Sequence, residues 1–250
     1  MPPRFEVIGV AGLPEIARGD DLARLVVDAA RAQGTPLLAG DLLVVSQKIV
    51  SKTEGRLVRL DQVTVSPRAR ALALEIDRDP RLVEVILGES RRIVRHAKGL
   101  LIVETHHGWI CANAGVDQSN VDADTACLLP VDSDASARAL RSRIAELTGH
   151  TLAIVIADTF GRPWREGLVN VAVGLAGFEP ITSYLGETDP AGHVLQATIL
   201  ALADELASAA EPVMGKLDRV PVAIIRGVRW TPAEADSRPL LRDPSRDLFR

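Results

Sequence analysis

The chain has 250 residues, 47% hydrophobic and 25% charged, with a formal net charge of −4. This is ordinary globular composition, enough for one large domain or two small ones sharing a core. Negative charge and only 3% aromatic residues argue against a nucleic-acid partner, since neither a basic face nor a set of stacking rings is at hand.

Phe5 to Val10 reads as a short strand entering a Gly-Leu-Pro turn. The spacing of Leu22, Leu25, Val26 and Ala29 predicts a helix capped by Asp20 and ended by Gly34. Leu42 to Ser46 is a compact apolar strand. Ser66-Pro67 and Asp79-Pro80 open two more helices, because proline is pre-set for the first helical position; the second should end at Gly88. Arg91–Arg95, Leu100–Thr105 and Trp109–Ala112 read as adjacent strands, with turns at Lys98-Gly99 and His107-Gly108. Asp134–Leu147 is an amphipathic helix followed by Gly149. Leu152–Ala157 is a buried-type strand ending at Asp158. Leu195–Ala210 is expected to be the longest helix, stopped by Pro212, and Val220–Arg226 the last strand. From Thr231 the chain is rich in Pro, Arg and Asp, which suggests a peripheral arm or tail over 231–250. Strands come in runs as well as between helices, so the expected class is α+β, with mixed or antiparallel sheets and flanking helices.

No stretch approaches the roughly 20 apolar residues that span a bilayer. The most apolar segment, Leu168 to Phe178, is short and interrupted by Asn170. Met-Pro-Pro-Arg-Phe-Glu lacks the apolar core of a signal peptide. Cys111 and Cys127 have no metal-ligand spacing and read as reduced thiols. A soluble, cytoplasmic protein with no membrane partner is expected.

Familiar nucleotide signatures are missing: the sequence has no GxxxxGK[ST] loop and no GxGxxG fingerprint, and Gly215-Lys216 lacks the residues that would complete the former. GxSxG and HExxH are absent too. His106-His107 reads as a polar turn. Four segments nevertheless hold more polar chemistry than packing needs. Gly12-Leu13-Pro14-Glu15-Ile16 follows a strand, where backbone N–H groups can face a base or phosphate. Ser46-Gln47-Lys48-Ile49-Val50-Ser51-Lys52 puts two lysines just past a buried strand, as phosphate ligands would be placed or as a solvated pair. Asn113 to Val121 crowds Asp117, Gln118, Ser119 and Asn120 together, an oxygen-rich loop of the kind that holds Mg²⁺ or Mn²⁺, or a plain Asx-rich turn. Asp158-Thr159-Phe160-Gly161-Arg162-Pro163-Trp164-Arg165 offers metal-type oxygens and two arginines that suit phosphate or carboxylate.

GLPEI, SQKIVSKTEGR, CANAGVDQSNV, ADTFGRPWREG and VMGKLDRVPVAIIRG, in this order and spacing, resemble the coenzyme F420-0:γ-glutamyl ligase family. The resemblance covers residues 5 to 230; GVDxSN and DTFGRPWR are its most specific blocks. It implies an α+β ligase domain over 1–230, in one or two subdomains, and a homodimer. It implies GTP-dependent addition of L-glutamate to F420-0, and of further γ-linked glutamates, with release of GDP and phosphate. Mg²⁺ or Mn²⁺, as two ions, and K⁺ would be the cofactors. Carried over by position, Asp117 and Asp158 would hold one metal and Thr159 would contribute to a second. Leu13, Pro14, Glu15, Ile16, Gln47, Lys52 and Asn120 would contact GTP, with Met214, Gly215, Lys216, Leu217, Asp218, Arg219 and Val220 closing over it. Arg162 and Arg165 are assigned to phosphate or acidic substrates by inference from their chemistry. Lys216 departs from the family's archaeal pattern, which has an amide there; a protonated lysine cannot ligate a metal but can offset phosphate charge. The resemblance admits both a stand-alone ligase and the N-terminal ligase domain of the bifunctional actinobacterial enzymes, where a nitroreductase-like flavin domain follows a segment like Arg242 to Arg250. The alternatives are a GTP-dependent ligase for another carboxylate, a non-catalytic nucleotide- or deazaflavin-binding module, and a metal-dependent hydrolase.

Overall fold

The structure, a computed structural model, describes residues 3–248; Met1, Pro2, Phe249 and Arg250, at the outer ends of the expected ligase region and tail, lie outside them. In chain order the elements are β1 (Glu6–Gly9), α1 (Leu22–Ala32), β2 (Leu42–Ser46), α2 (Gln47–Thr53), β3 (Leu57–Arg59), α3 (Pro67–Ile76), α4 (Pro80–Gly88), β4 (Ser90–Ala97), β5 (Leu100–Thr105), β6 (Ile110–Ala112), β7 (Thr125–Cys127), α5 (Ser133–Thr148), β8 (Ala153–Arg162), β9 (Arg165–Ala176), β10 (Thr182–Ser183), β11 (Ile199–Leu200), α6 (Leu202–Met214) and β12 (Val222–Arg226). The arrangement is α+β with mixed and antiparallel sheets, as the sequence led us to expect.

A five-stranded sheet in the order β1-β12-β2-β8-β9 forms the centre. β2 and β8 run parallel and the other neighbours antiparallel. Alternation along each strand divides the core in two. Leu43, Val45, Ile154 and Ile156 pack with Val26 of α1 and Ile144 of α5. Leu42, Val44, Ala153 and Val155 pack with Leu206 and Ala210 of α6 on the opposite face. Helices on both faces explain why β2 and β8 are continuously apolar in sequence. A third core, around Leu60, Ile76, Ile86 and Leu101, joins α3 and α4 to the β4-β5-β6 sheet.

Helix starts follow local chemistry. Ser66 and Asp79 accept backbone N–H bonds from Ala69 and Arg81, with Pro67 and Pro80 next in sequence. At α1 the cap is Asp21, one residue beyond the expected Asp20; Asp20 instead accepts from the Ala17 N–H and closes the preceding turn.

Two further expectations are corrected. The helix expected at Leu195–Ala210 runs from Leu202 to Met214, and α5, with 16 residues, is longer. Ile199 and Leu200 pair with Thr182 and Ser183 in a short ribbon. The acidic first turn of Asp204 and Glu205 suits the positive end of the helix dipole and marks the actual start. Pro212 sits in the final turn, where its missing N–H removes one rung without ending the helix. The strand expected to stop at Asp158 continues to Arg162 and turns back as β9, because Asp158, Thr159, Phe160 and Gly161 pair with Val171, Asn170, Val169 and Leu168. The apolar run from Leu168 is the returning strand.

Beyond Thr231 the chain lies against the body. Ser237 is buried and donates from its backbone N–H and its hydroxyl to the Asp134 carboxylate, while Leu240 and Leu241 pack on the core. No helix among the described residues is long and apolar enough to cross a membrane.

Gly174 in β9 lets the start of α5 lie directly on the sheet. A Cβ built there would come within 2.5 Å of the Ser133 backbone, and backbone cannot swing aside as a flexible side chain can. Gly174→Ala should therefore cost about 1–3 kcal/mol, seen as a lower urea midpoint at unchanged m-value.

Candidate active site

The parallel register of β2 and β8 sets Ser46 opposite Ala157. The first turn of α2 and the Asp158-Thr159 pair are thereby brought side by side. Successive strand residues point to opposite faces, so Asp158 and Thr159 meet different partners.

Asp117 is placed by the oxygen-rich loop. Its backbone exchanges hydrogen bonds of 3.0 and 2.7 Å with Cys127, and Asn113, Ala114 and Asn120 adopt left-handed φ values that bend the loop inward. The Lys48 ammonium donates to Asp117 Oδ2 at 2.7 Å and to the Ser119 carbonyl and hydroxyl, each at 2.7 Å. The Ser119 N–H donates to Asp117 Oδ1. Burial alone would raise the Asp117 carboxyl, but these donors outweigh it and hold the group below the usual carboxylate range.

Asp158 is treated differently. Burial pushes it up to about 6, the Asp117 charge adds to the rise, and the Thr159 backbone N–H, Lys216 and Lys48 offset only part of it. One carboxylate is thus well compensated and the other is not, a division typical of sites that take a charged ligand. Cys111 lies close enough for Asp158 to matter: burial first, then the Asp158 charge, pushes its thiol up to about 12. It is no nucleophile.

On the other face, Lys216 Nζ donates to Thr159 Oγ1 at 2.5 Å, and that hydroxyl donates to Asn170 Oδ1 at 2.8 Å. The structure therefore gathers Asp117, Asp158, Thr159 and Lys216. Gln47 is buried and accepts from the Ser51 hydroxyl. Lys52 pairs with Glu15, which ties the loop of Leu13, Pro14, Glu15 and buried Ile16 to α2. Asn120 is exposed at the rim. Of the 214–220 segment, Met214 is buried, Leu217 is exposed and Lys216 reaches the cluster. Arg162 and Arg165 close the β8–β9 hairpin, with Arg162 held by the Glu166 carbonyl. Arg162 lies four residues past Asp158 along β8, roughly 13 Å by strand rise, and Arg165 pairs opposite it on β9. Lys48, which the sequence offers as a phosphate ligand or a solvated side chain, clamps Asp117 instead. Asn170 and Glu211, which stand behind Thr159, have no role in the sequence reading. The polar interruption at Asn170 in an apolar run was the available signal; for Glu211 there was none.

A family model described as F420-0:Gamma-glutamyl ligase matches residues 11–227. The chain belongs to this family. Among proteins named coenzyme F420:L-glutamate ligase, it is 47% identical to that of Methanothermobacter thermautotrophicus, over 98% of this chain and 99% of that protein. Identity is 44% with that of Methanopyrus kandleri, over 94% of each, and 38% with that of Methanocaldococcus jannaschii, over 99% of this chain and 97% of that protein. The cluster of Asp117, Asp158 and Thr159 lies within the span that the family model covers.

The rise at Asp158 has a measurable consequence. A carboxyl whose folded value is about 6 against an ordinary 3.8 is ionised more readily in the unfolded chain, so its ionisation destabilises the fold. The cost is absent below about pH 4, grows between pH 4 and 6 and is complete above 6. Asp158→Asn should stabilise the cation-free protein by about 2–3 kcal/mol at pH 7.5, with the gain vanishing near pH 4. Urea unfolding of both proteins at the two pH values checks this.

Proposed function

We propose that this protein is a GTP-dependent ligase that joins L-glutamate to F420-0, and adds further γ-linked glutamates, through an acyl phosphate. The observation that carries the reading is the convergence of two carboxylates, a hydroxyl and two lysine ammonium groups on the β2–β8 edge in a chain of this family.

Among the described residues, no group of three or more His, Cys, Asp or Glu side chains could hold a metal by itself. The donor set fits Mg²⁺ or Mn²⁺ nonetheless, since such ions commonly take one or two carboxylates and complete their shell with substrate phosphates. Lys48 and Lys216 already donate to Asp117 and Thr159, so a divalent ion would have to displace these ammonium groups toward the substrate phosphates. Asp117 and Asp158 would hold one ion and Thr159 would contribute to a second. A bound divalent ion would neutralise the phosphate oxygens during transfer.

A carboxylate does not condense with an amine in water, because the anion is a poor electrophile. In the proposed reaction a carboxylate oxygen of F420-0 attacks the γ-phosphorus of GTP, the bond to the β-phosphate oxygen breaks, and GDP leaves. The glutamate amine then attacks the acyl carbon. Phosphate departs with the bonding pair, the amine loses a proton and an amide remains. Such transfer needs positioning and charge compensation more than covalent help. Lys48 and Lys216 supply fixed positive charge on either side of β8. Glu15-Lys52, Gln47, Asn120 and the 214–220 segment form the proposed nucleotide rim, with Arg162 and Arg165 outside it for acidic substrate. The homodimer, the K⁺ requirement and the cytoplasmic location expected from the sequence belong to the same proposal.

Incubating the protein with F420-0, GTP, L-glutamate and Mn²⁺, followed by chromatography and mass spectrometry, should yield products heavier by one or more glutamyl units that require both nucleotide and cation. Asp158→Ala should lower the rate by about 10²–10³. GTP binding without any glutamylated product would reject the acceptor. Full activity in Asp158→Ala would reject the site.

A further inference from the structure

Lys216 sits in the segment that follows α6, and little else ties that segment down. The helix ends at Met214, and Gly215 leaves it with φ +59° and ψ 177°, a combination open essentially to glycine. A Cβ at Gly215 would strike the Asp218 carboxylate, so the chain doubles back tightly here. Lys216, Leu217, Asp218 and Arg219 are exposed. Among the described residues, the bond from Lys216 Nζ to Thr159 Oγ1 at 2.5 Å is the one hydrogen bond that fastens these four to the sheet.

What Thr159 offers the ammonium is set from behind. Asn170 faces Thr159 across the β8–β9 pair and is buried, and its Nδ2 donates to Glu211 Oε2 at 2.7 Å. A flipped amide would set two acceptor oxygens against each other at that distance, so Oδ1 faces Thr159. Oδ1 can only accept, which obliges the Thr159 hydroxyl to donate to it at 2.8 Å. The Thr159 oxygen is left as a pure acceptor, suited to an ammonium, which can only donate. Every bond in the row runs the same way, from Lys216 through Thr159 and Asn170 to the Glu211 carboxylate, and bonds so aligned strengthen one another. Glu211 thus acts as a remote counter-ion for Lys216. The charge of the ammonium also reaches Asp158, but its hydrogen bond is to Thr159. Ser208 donates to the Asn170 backbone carbonyl at 2.8 Å and supports the strand without touching the amide.

We propose that Asn170 and Glu211 are positioning residues that make Thr159 a dock for the Lys216 ammonium, holding the 215–219 segment at the cluster before a nucleotide arrives. This deepens the proposed function and rests on its assignment of that segment to the nucleotide. The phosphates then take over an ammonium that is already in place. Without the dock, the long side chain and its segment would be ordered only on binding, at a cost to affinity. No divalent ion takes part in the dock.

One arm of the test needs no nucleotide. Acetic anhydride labelling with peptide mass spectrometry should find Lys216 protected in the ligand-free protein, relative to the exposed Lys98. Glu211→Leu and Asn170→Leu should each raise Lys216 labelling about threefold or more. The enclosed Lys48 and Lys52 should stay protected, which shows that the fold is intact. The double variant Asn170→Asp with Glu211→Gln rebuilds the row with its last bond reversed, since the new amide on α6 donates and the new carboxylate on β9 accepts from both sides. It should restore the protection of Lys216. In the other arm, calorimetric GTP affinity with Mg²⁺ should fall about threefold to tenfold in Glu211→Leu and about tenfold or more in Lys216→Met. Adding Glu211→Leu to Lys216→Met should change nothing further, because nothing is left to dock; a purely structural loss would repeat its full effect. Lys216 labelled as fast as Lys98 in the wild type, a double variant no better than Glu211→Leu, or additive losses in the Lys216→Met background would overturn the proposal. Labelling decides it even if GTP does not bind or no glutamylated product forms, results that count against the proposed function alone. If Asn170→Leu does not fold, Glu211→Leu and the double variant decide.

Discussion

Two acidic side chains within electrostatic reach of each other, the half-exposed Asp117 and the more enclosed Asp158, set the terms for everything around them. Burial and the Asp117 charge both penalise the ionised form of Asp158, while Lys48 and Ser119 compensate Asp117. Electrostatic work of this kind grows as water is excluded, and the cost is borne by the fold. The β2–β8 register and the Asp117–Cys127 bridge are what keep the carboxylates from separating. Without that scaffold they would relax into solvent and take ordinary values.

The arrangement makes chemical sense once a doubly charged ligand is considered. A divalent cation and the phosphates of a nucleotide bring both signs of charge together. In the proposed function the cation would relieve Asp117 and Asp158, and the phosphates would draw the lysine ammonium groups away from their present partners. The strand alternation that divides the core into two faces also divides the site, with Asp158 on one side of β8 and Thr159 on the other. The family match and the extent of identity with proteins named coenzyme F420:L-glutamate ligase place the chain in a ligase family.

Much of this was legible in the sequence. Apolar runs marked β2, β8 and β12, Pro and Asp or Ser marked α3 and α4, and the Asn113–Val121 and Asp158–Arg165 segments stood out for more polar chemistry than packing needs. Errors arose where tertiary pairing overrode local pattern. Asp158 reads as the end of a strand because polar and glycine residues follow it, yet β9 supplies partners that carry the strand on to Arg162. Leu195 to Ala201 looks helical in composition, but the chain there is used in the β10–β11 ribbon and its approach to α6. Lys48 could not be assigned to Asp117 because the two are 69 positions apart, and the Asn170–Glu211 contact spans 41. Spacing along the chain does not carry such information, whereas the topology of the sheet does.

The most direct test of the account is calorimetric titration of Mn²⁺ into the nucleotide-free protein, in buffers of different ionisation enthalpy, at pH 6 and pH 8. With Asp158 titrating at about 6, cation binding should expel about half a proton per site at pH 6 and almost none at pH 8. Absence of binding heat, or the same proton count at both pH values, would contradict the claim that these two carboxylates are the seat of the cation.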